Sequence, residues 1–269
     1  MYIKNETIRQ VGLDMGANLV GVADVSRFDN IAPDSHPLSI FPGAKSVIVL
    51  GFMIPRGALR GIEQTTAWQT MSANDPIHPL IQVRMTNDVV RWLEDIGQEA
   101  VPLFHHPEEL KSQGMAVSKD KPAPDVLLNF DYAAYMAGLG VVGKGKFFLT
   151  PEYGPRQTFT IILTDAEIEP NEICKVNFCE GCNACMEACP AHAYSETEMS
   201  SMETPAEPLT WNALHIESCQ VCRTGASVNP YLASAEPRRL GAACGRACIV
   251  HLEETKALKY QYKNPFRRK

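Results

Sequence analysis

The chain has 269 residues, of which 45% are apolar, enough to bury the core of one large domain or two modest ones. Its 25 Lys and Arg stand against 31 Asp and Glu, and the net charge of −6 gives no reason to expect nucleic-acid binding. No signal-peptide pattern begins the chain, and the apolar run SVIVLGFMI is too short to span a bilayer as a helix. We therefore expect a soluble, cytoplasmic protein that has no membrane partner.

Helix and strand patterns alternate from the first residues onward, which predicts an α/β layer. Asn5 is expected to cap a first helix with apolar residues at helical spacing. A second helix is expected to begin at Asp75 and Pro76 and to end at Gly97, and a third spans DYAAYMAGLG and ends at a glycine turn. The predicted strands, in chain order, are LVGVADV, KSVIVLGFM, EAVPLF and RQTFTIILTD.

The end of the chain departs from this pattern. No helix and strand alternation is evident after about Asp165, where ligands are expected to supply as much order as a hydrophobic core. The basic tail KALKYQYKNPFRRK is expected to be a solvated face or a frayed terminus.

All nine cysteines follow residue 173, and in a reducing compartment they favour metal binding over disulfides. Cys179, Cys182, Cys185 and Cys189 form the run C-x2-C-x2-C-x3-C followed by Pro190, as in bacterial ferredoxins. Three thiolates two residues apart can wrap one cubane cluster, while the fourth turns toward a second cluster. Zinc is the weaker alternative, because its four ligands converge on one ion.

Four later cysteines complete two ligand sets if the last cysteine of each motif crosses to the other cluster, as in two-cluster ferredoxins. The first predicted set is Cys179, Cys182, Cys185 and Cys248, and the second is Cys189, Cys219, Cys222 and Cys244. Cys174 is left over and is expected to be a small buried hydrophobe.

A glycine loop, AGLGVVGKG, places Gly138, Gly140, Gly143 and Gly145 beside Lys144. Bare backbone of this kind lets a large ligand approach closely, although a plain turn explains it equally well. A dinucleotide fold is disfavoured, because no strand immediately precedes the loop and no acidic residue follows at the expected distance.

Together, FPGAKSVIVLGF, DPIHPL, AGLGVVGKGKFFLTPEYGPR, ILTD and CEGCNACMEACP resemble epoxyqueuosine reductases and, more distantly, cobalamin-dependent reductive dehalogenases, over residues 8–250. The resemblance implies an α+β protein. A nitroreductase-like α/β domain for cobalamin and substrate would span residues 1–165, followed by a ferredoxin-like domain with two four-iron four-sulfur clusters and the basic tail at residues 166–269.

The resemblance also implies further site residues. The backbone of Gly138, Leu139, Gly140, Gly143 and Lys144 would line the corrinoid, and His78 would lie near its edge. The proton donor to the product would be one of Asp125, Asp131 and Tyr132. One departure concerns the second cluster motif, where Gly241 replaces the first expected cysteine and Cys222 is gained instead.

The predicted function is a cobalamin-dependent reductase of a small molecule, supplied by a low-potential donor such as ferredoxin or flavodoxin, with a homodimer as a further option. One alternative is an electron-transfer protein that reduces a corrinoid or flavin on a partner, and another is a flavin bound in the first domain. Similar reductases continue into a helical-repeat domain that helps to grip tRNA, and this chain ends before it. With the acidic net charge, tRNA is not expected as a partner.

Overall fold

The computed structural model describes residues 2–72, 79–104, 115, 118–122, 124–205, 207–227 and 236–267. The strands are β1 (Tyr2–Ile3), β2 (Leu19–Asp24), β3 (Ser46–Met53), β4 (Ala100–Leu103), β5 (Val141–Val142), β6 (Phe148–Leu149), β7 (Gln157–Thr164), β8 (Glu167–Ile168), β9 (Tyr194–Met202) and β10 (Leu209–Leu214). The helices are α1 (Asn5–Asp14), α2 (Pro37–Ile40), α3 (Arg60–Glu63), α4 (Gln69–Ser72), α5 (Pro79–Asp95), α6 (Phe130–Met136), α7 (Ala184–Glu187), α8 (Ile216–Gln220) and α9 (Ala243–Glu254). Short 3-10 helices span Val25–Phe28, Pro33–Ser35 and Arg56–Leu59.

Two compact units interleave along the chain. The first comprises Met1–Phe52, Pro79–Leu139 and Thr158–Cys174, and the second comprises Met53–His78, Gly140–Gln157 and Lys175–Lys269. The predicted roles of residues 1–165 and 166–269 as cofactor and cluster domains stay predictions. None of the helices in the described part of the chain has the length and apolar character needed to cross a membrane.

The first unit is built on a four-stranded sheet in the order β2-β3-β7-β4. β2 pairs antiparallel with β3, and β4 pairs antiparallel with β7. The sequence predicted all four strands, because β-branched and apolar residues fill both faces of β3 and β7. The prediction of a mixed α/β fold is confirmed.

Helices α1 and α5 share a hydrophobic core with the sheet, which joins Ile8 of α1 and Val89 of α5 to Ile48, Leu50 and Ile162. The expected helix start at Asp75 and Pro76 lies outside the described residues, whereas the stop at Gly97 follows the observed end of α5. The predicted cap at Asn5 is wrong, because Asn5 is already helical and Lys4 precedes the helix. The amide of Asn5 donates instead to the carbonyl of Glu169 at 2.9 Å and to Oδ1 of Asn171 at 2.8 Å.

The second unit contains an antiparallel hairpin, β9–β10, which the sequence analysis missed. β9 has the sequence YSETEMSSM, and most of its side chains are exposed, so it lacks the apolar alternation that marks a half-buried strand. Two helices that carry cysteines, α7 and α9, pack against each other in this unit.

The basic tail is anchored at Phe266, so the expectation of a frayed terminus is wrong there, whereas Lys256, Lys259, Lys263 and Arg267 are exposed, as expected of a solvated face. Phe266 is buried against Leu59, Ile62 and Ile249. Arg267 donates to Oε1 of Glu63 at 2.5 Å, and Arg246 of α9 donates to Oε2 of the same carboxylate at 2.7 Å. The tail therefore joins residues 59–63 to the helix that carries two of the cysteines.

Replacing Phe266 by Ala should lower the thermal unfolding midpoint of the anaerobically purified protein, because truncation leaves a cavity in this core. Loss of a buried Phe side chain costs about 3–5 kcal/mol, or roughly 6–20 °C for a chain of this size. The matched control is Lys263→Ala, at an exposed position in the same tail. Equal midpoints for the two variants would show that the tail does not anchor the unit.

Candidate iron-sulfur sites

A first cavity in the second unit has an empty volume of ≈ 350 Å³. Its wall carries the thiols of Cys179, Cys182, Cys185 and Cys248. Apolar side chains, among them Phe147, Phe178 and Leu252, fill much of the remaining wall.

A second cavity in the same unit has an empty volume of ≈ 310 Å³. Its wall carries the thiols of Cys189, Cys219, Cys222 and Cys244. The membership of both sets is the one that the sequence predicted, whereas the binding of clusters by them stays a proposal. Cys174 lines neither of these two cavities and is only half-buried, so the expectation of a buried residue is wrong.

Local structure explains how the cysteines reach these walls. The amide of Cys182 donates to the carbonyl of Cys179 at 3.2 Å, which closes a tight turn before Cys185 enters α7. Cys244 and Cys248 lie four residues apart on α9, so both point from one face of the helix, one turn apart. A second tight turn joins the amide of Cys222 to the carbonyl of Cys219 at 3.1 Å.

The donors around the thiols fit an iron-sulfur cluster. The amide of Lys144 donates to Sγ of Cys179 at 3.4 Å, and the amide of Ala193 donates to Sγ of Cys189 at 3.4 Å. Backbone N–H groups aimed at ligating sulfur tune such clusters. Gly143 leaves room for this arrangement, because a Cβ there would lie 2.9 Å from Sγ of Cys179.

Burial makes some of these thiols weaker acids than an ordinary cysteine. It raises the pKa of Cys185 to about 12 and that of Cys219 to about 11, and it raises the pKa of Cys248 well above its ordinary value. The thiolate is the form that ligates metal, so a bound cation must displace the protons. The sites are therefore suited to a cationic group that remains buried.

Within the described ranges, no group of three or more His, Cys, Asp or Glu side chains has an arrangement that could hold a metal ion. The thiols instead surround the two cavities. A cubane cluster would place its iron and sulfide atoms in such a volume, with one thiolate at each corner.

The glycine loop is explained in part by the chain itself. Gly138 has φ of +74°, and its amide and that of Leu139 bond to the carbonyls of Tyr135 and Ala134, which ends α6 in a Schellman motif. A Cβ at Gly140 would lie 2.1 Å from the carbonyl oxygen of Leu149. An alanine at position 140 would therefore clash with the protein whether or not a corrinoid binds. The predicted contacts of these residues with a corrinoid stay predictions.

Lys144, another residue predicted to line the corrinoid, is engaged at the first cavity. Its Nζ donates to the carbonyl of Cys182 at 3.2 Å and to Oδ1 of Asn183 at 3.4 Å. His78 lies outside the described residues.

The three candidate acids lie in the first unit. Asp131 and Tyr132 belong to the first turn of α6, and Asp125 precedes this helix with φ of +64°. The hydroxyl of Tyr132 donates to the carbonyl of Arg27 at 3.0 Å, and burial raises the pKa of Tyr132 to about 12. Their catalytic roles stay predictions.

Four polar residues of the second cavity were not predicted from the sequence: Tyr194, Ser218, Thr224 and Arg239. Ser218 and Thr224 lie beside Cys219 and Cys222 in a segment without periodic pattern, whereas Arg239 is distant in sequence from Cys219. No spacing rule links such residues to a cluster, and only the folded chain brings them to it.

Comparison with known proteins gives no match to a family model. A tetrachloroethene reductive dehalogenase of Desulfitobacterium hafniense is 33% identical over 101 residues, 36% of this chain and 15% of that protein. An epoxyqueuosine reductase of Gloeobacter violaceus is 40% identical over 63 residues, 23% of this chain and 19% of that protein. Among solved structures, a catabolic reductive dehalogenase matches with a TM-score of 0.56 and 18% identity, covering 96% of this chain and 38% of that one. An epoxyqueuosine reductase matches with a TM-score of 0.52 and 15% identity, covering 84% and 59%.

The sequence matches confirm the predicted resemblance: parts of the chain are similar to a reductive dehalogenase and to an epoxyqueuosine reductase. Both relatives matched by sequence are reductases, which agrees with the prediction of a reductase resembling these enzymes. The structural matches establish a shared mixed α/β fold. The chain spans only 15% and 19% of the length of the two relatives matched by sequence, so its own activity is treated as a proposal.

The sequence-based expectation that excluded tRNA as a partner is wrong. The relative from Gloeobacter violaceus that this chain matches by sequence is an epoxyqueuosine reductase, and one solved epoxyqueuosine reductase contains an epoxyqueuosine-modified tRNA stem loop. Net charge averages over the whole chain and does not describe the local surface that binds a substrate. The acidic balance of this chain therefore does not exclude tRNA.

Replacing Cys222 by Ser should remove the second cluster as fully as Cys244→Ser does, because both thiols line the same cavity. Iron analysis of anaerobic protein should fall from about eight to about four iron atoms per chain. Cys174→Ser is the matched control and should keep all the iron. Loss of iron in the control together with full iron in Cys222→Ser would contradict the assignment of the second set.

Replacing Gly143 by Ala should impair the first cluster, because the new methyl group would lie 2.9 Å from Sγ of Cys179 and 2.7 Å from Cδ1 of Leu149. Iron content should drop by up to about half. Gly57→Ala is the control, since a Cβ there meets nothing within 4 Å. An unchanged iron content in Gly143→Ala would mean that the loop does not form the wall of a cluster site.

Proposed function

We propose that this protein is an iron-sulfur oxidoreductase in which two four-iron four-sulfur clusters supply electrons for the cobalamin-dependent reduction of a substrate. The observation that carries the proposal is the division of eight cysteines between two cavities, with four thiols on each wall. A nitroreductase-like cofactor domain within residues 1–165 and a ferredoxin-like domain within residues 166–269 are part of the proposal.

When bound, the clusters supply single electrons and a corrinoid supplies a low-potential cobalt centre. The chain contributes the rest. Its thiolates hold the clusters, its backbone amides at Lys144 and Ala193 donate to ligating sulfur, and the apolar wall of the first cavity excludes water. Asp125 or Asp131 would supply a proton to the product, since Tyr132 is a weaker acid whose hydroxyl already donates to Arg27.

The substrate class follows from the relatives only as part of this proposal. One relative is named for tetrachloroethene and another for epoxyqueuosine, so the shared chemistry is the reductive cleavage of a bond from carbon to an electronegative atom. Two electrons are supplied in each case; chlorine leaves as chloride, with a proton added to the carbon, and the epoxide oxygen leaves as water after it takes up two protons. A small organic electrophile of this kind is the leading candidate. A modified tRNA is the second candidate substrate, and both should be tested for reduction by the protein.

Anaerobically purified protein should contain about eight iron and eight acid-labile sulfide per chain, together with extractable cobalamin or the capacity to bind it. Iron and sulfide analysis, followed by titration with cobalamin monitored by absorbance, measures both. About four iron per chain, or tightly bound zinc, would overturn the two-cluster proposal.

A second function is favoured by the glycine loop. Because packing within the chain accounts for Gly138 and Gly140, the loop is no longer a specific signal for a corrinoid. The chain would then be an electron-transfer protein that reduces a corrinoid or flavin held by another protein. Failure to bind cobalamin or flavin, with two clusters present and reducible, would favour this function over the leading one.

A further inference from the structure

The wall of the second cavity carries a buried cation. The side chain of Arg239 is only 3% exposed and lies on this wall with Cys219 and Cys244. A guanidinium stays protonated in proteins, so the charge is permanent. Lys144 is the corresponding cation of the first cavity, but its ammonium group is partly solvated and points to Cys182 O and Asn183.

Hydrogen bonds hold the guanidinium of Arg239 in a single orientation. Nη1 donates to the carbonyl of Gly145 at 3.0 Å and to the hydroxyl of Tyr194 at 2.6 Å. Nη2 donates to the carbonyl of Lys146 at 3.2 Å, and Cζ of the guanidinium lies 4.7 Å from the ring centre of Phe147. The cation therefore cannot swing away from the cavity without breaking several buried contacts.

Glu236, which does not line the second cavity, balances part of the positive charge of Arg239. Its Oε1 accepts from Nη2 of Arg239 at 2.7 Å, and its Oε2 pairs with Nζ of Lys146 at 2.5 Å. The three side chains together carry one net positive charge. Arg239 belongs to the lining of the second cavity and Glu236 does not, so a group in the cavity is nearer to the cation than to the carboxylate.

We propose that Arg239 raises the reduction potential of the second cluster, so that the first electron to enter the protein resides there. The proposal rests on the proposed function, because it needs both clusters. Reduction adds one electron to a cluster and neither forms nor breaks a bond, so a buried positive charge stabilises the reduced state relative to the oxidised one. Solvent screens Arg239 far less than it screens Lys144, which makes the two sites unequal.

The test is a redox titration of anaerobic protein with dithionite, in which electron paramagnetic resonance reports the reduced fraction of each cluster. Arg239→Gln should lower the ratio of reduced to oxidised second cluster at a fixed potential by about tenfold, equivalent to about 59 mV for one electron. Arg239→Lys keeps the charge and should stay nearer to the parent protein.

Glu236→Gln supplies the matched variant of opposite sign. It removes the balancing carboxylate and leaves Arg239 on the wall, so the potential of the second cluster should rise. A general loosening of the fold would not move the two variants in opposite directions. The first cluster should shift less than the second in both variants.

Iron analysis separates the failure of this proposal from the failure of the proposed function. Fewer than two clusters in the parent protein would refute both. Two clusters in the parent protein, with a potential of the second cluster that is unchanged or moves in the same direction in Arg239→Gln and Glu236→Gln, would overturn the role of Arg239 alone. If Arg239→Gln loses its second cluster, the result for Glu236→Gln decides. A higher reduction potential of the second cluster in Glu236→Gln supports the proposal, and an unchanged or lower potential refutes it.

Discussion

The crossing of two cysteine segments between two cavities is the constraint on which the second unit depends. Cys179 to Cys185 line the first cavity and Cys189 lines the second, while α9 places Cys248 in the first and Cys244 in the second. Neither wall can be completed without both segments. Burial raises the pKa of Cys185, Cys219 and Cys248, so a cationic group bound in these cavities would have to displace the protons of these thiols.

Hydrogen bonds from other parts of the second unit fix the position of α9, which carries Cys244 and Cys248. Arg246 lies between the two cysteines of α9 and donates to Glu63 at 2.7 Å and to the carbonyl of Thr224 at 2.7 Å. The hydroxyl oxygen of Thr224 lies 3.1 Å from Sγ of Cys222. The same oxygen accepts a hydrogen bond from the amide of Ala243 at 3.0 Å. A single network thus joins α9, its N-terminus and Cys222, and Arg267 of the tail extends that network through Glu63.

Sequence patterns predicted the parts of this protein that repeat a local rule. The four strands of the sheet follow from apolar runs, and the division of eight cysteines between two cavities follows from the crossing pattern of two-cluster ferredoxins. The hairpin β9–β10 was missed because the side chains of β9 are mostly exposed and carry no apolar alternation. The anchoring of the tail was missed because Phe266 packs on Leu59 and Ile62, and Arg267 pairs with Glu63, all far away in sequence. Arg239 likewise reaches the second cavity only through the folded chain. The glycines were interpreted as a ligand signal, yet the Schellman motif at Gly138 and the contact of Gly140 with Leu149 arise within the chain.

Iron anomalous diffraction from anaerobically grown crystals would distinguish the crossed ligand sets from every other pairing of the cysteines. We expect two separate iron clusters, the first bound by Cys179, Cys182, Cys185 and Cys248 and the second by Cys189, Cys219, Cys222 and Cys244. A single cluster, a mononuclear metal at either site, or Cys189 and Cys248 exchanged between the two sites would contradict this expectation.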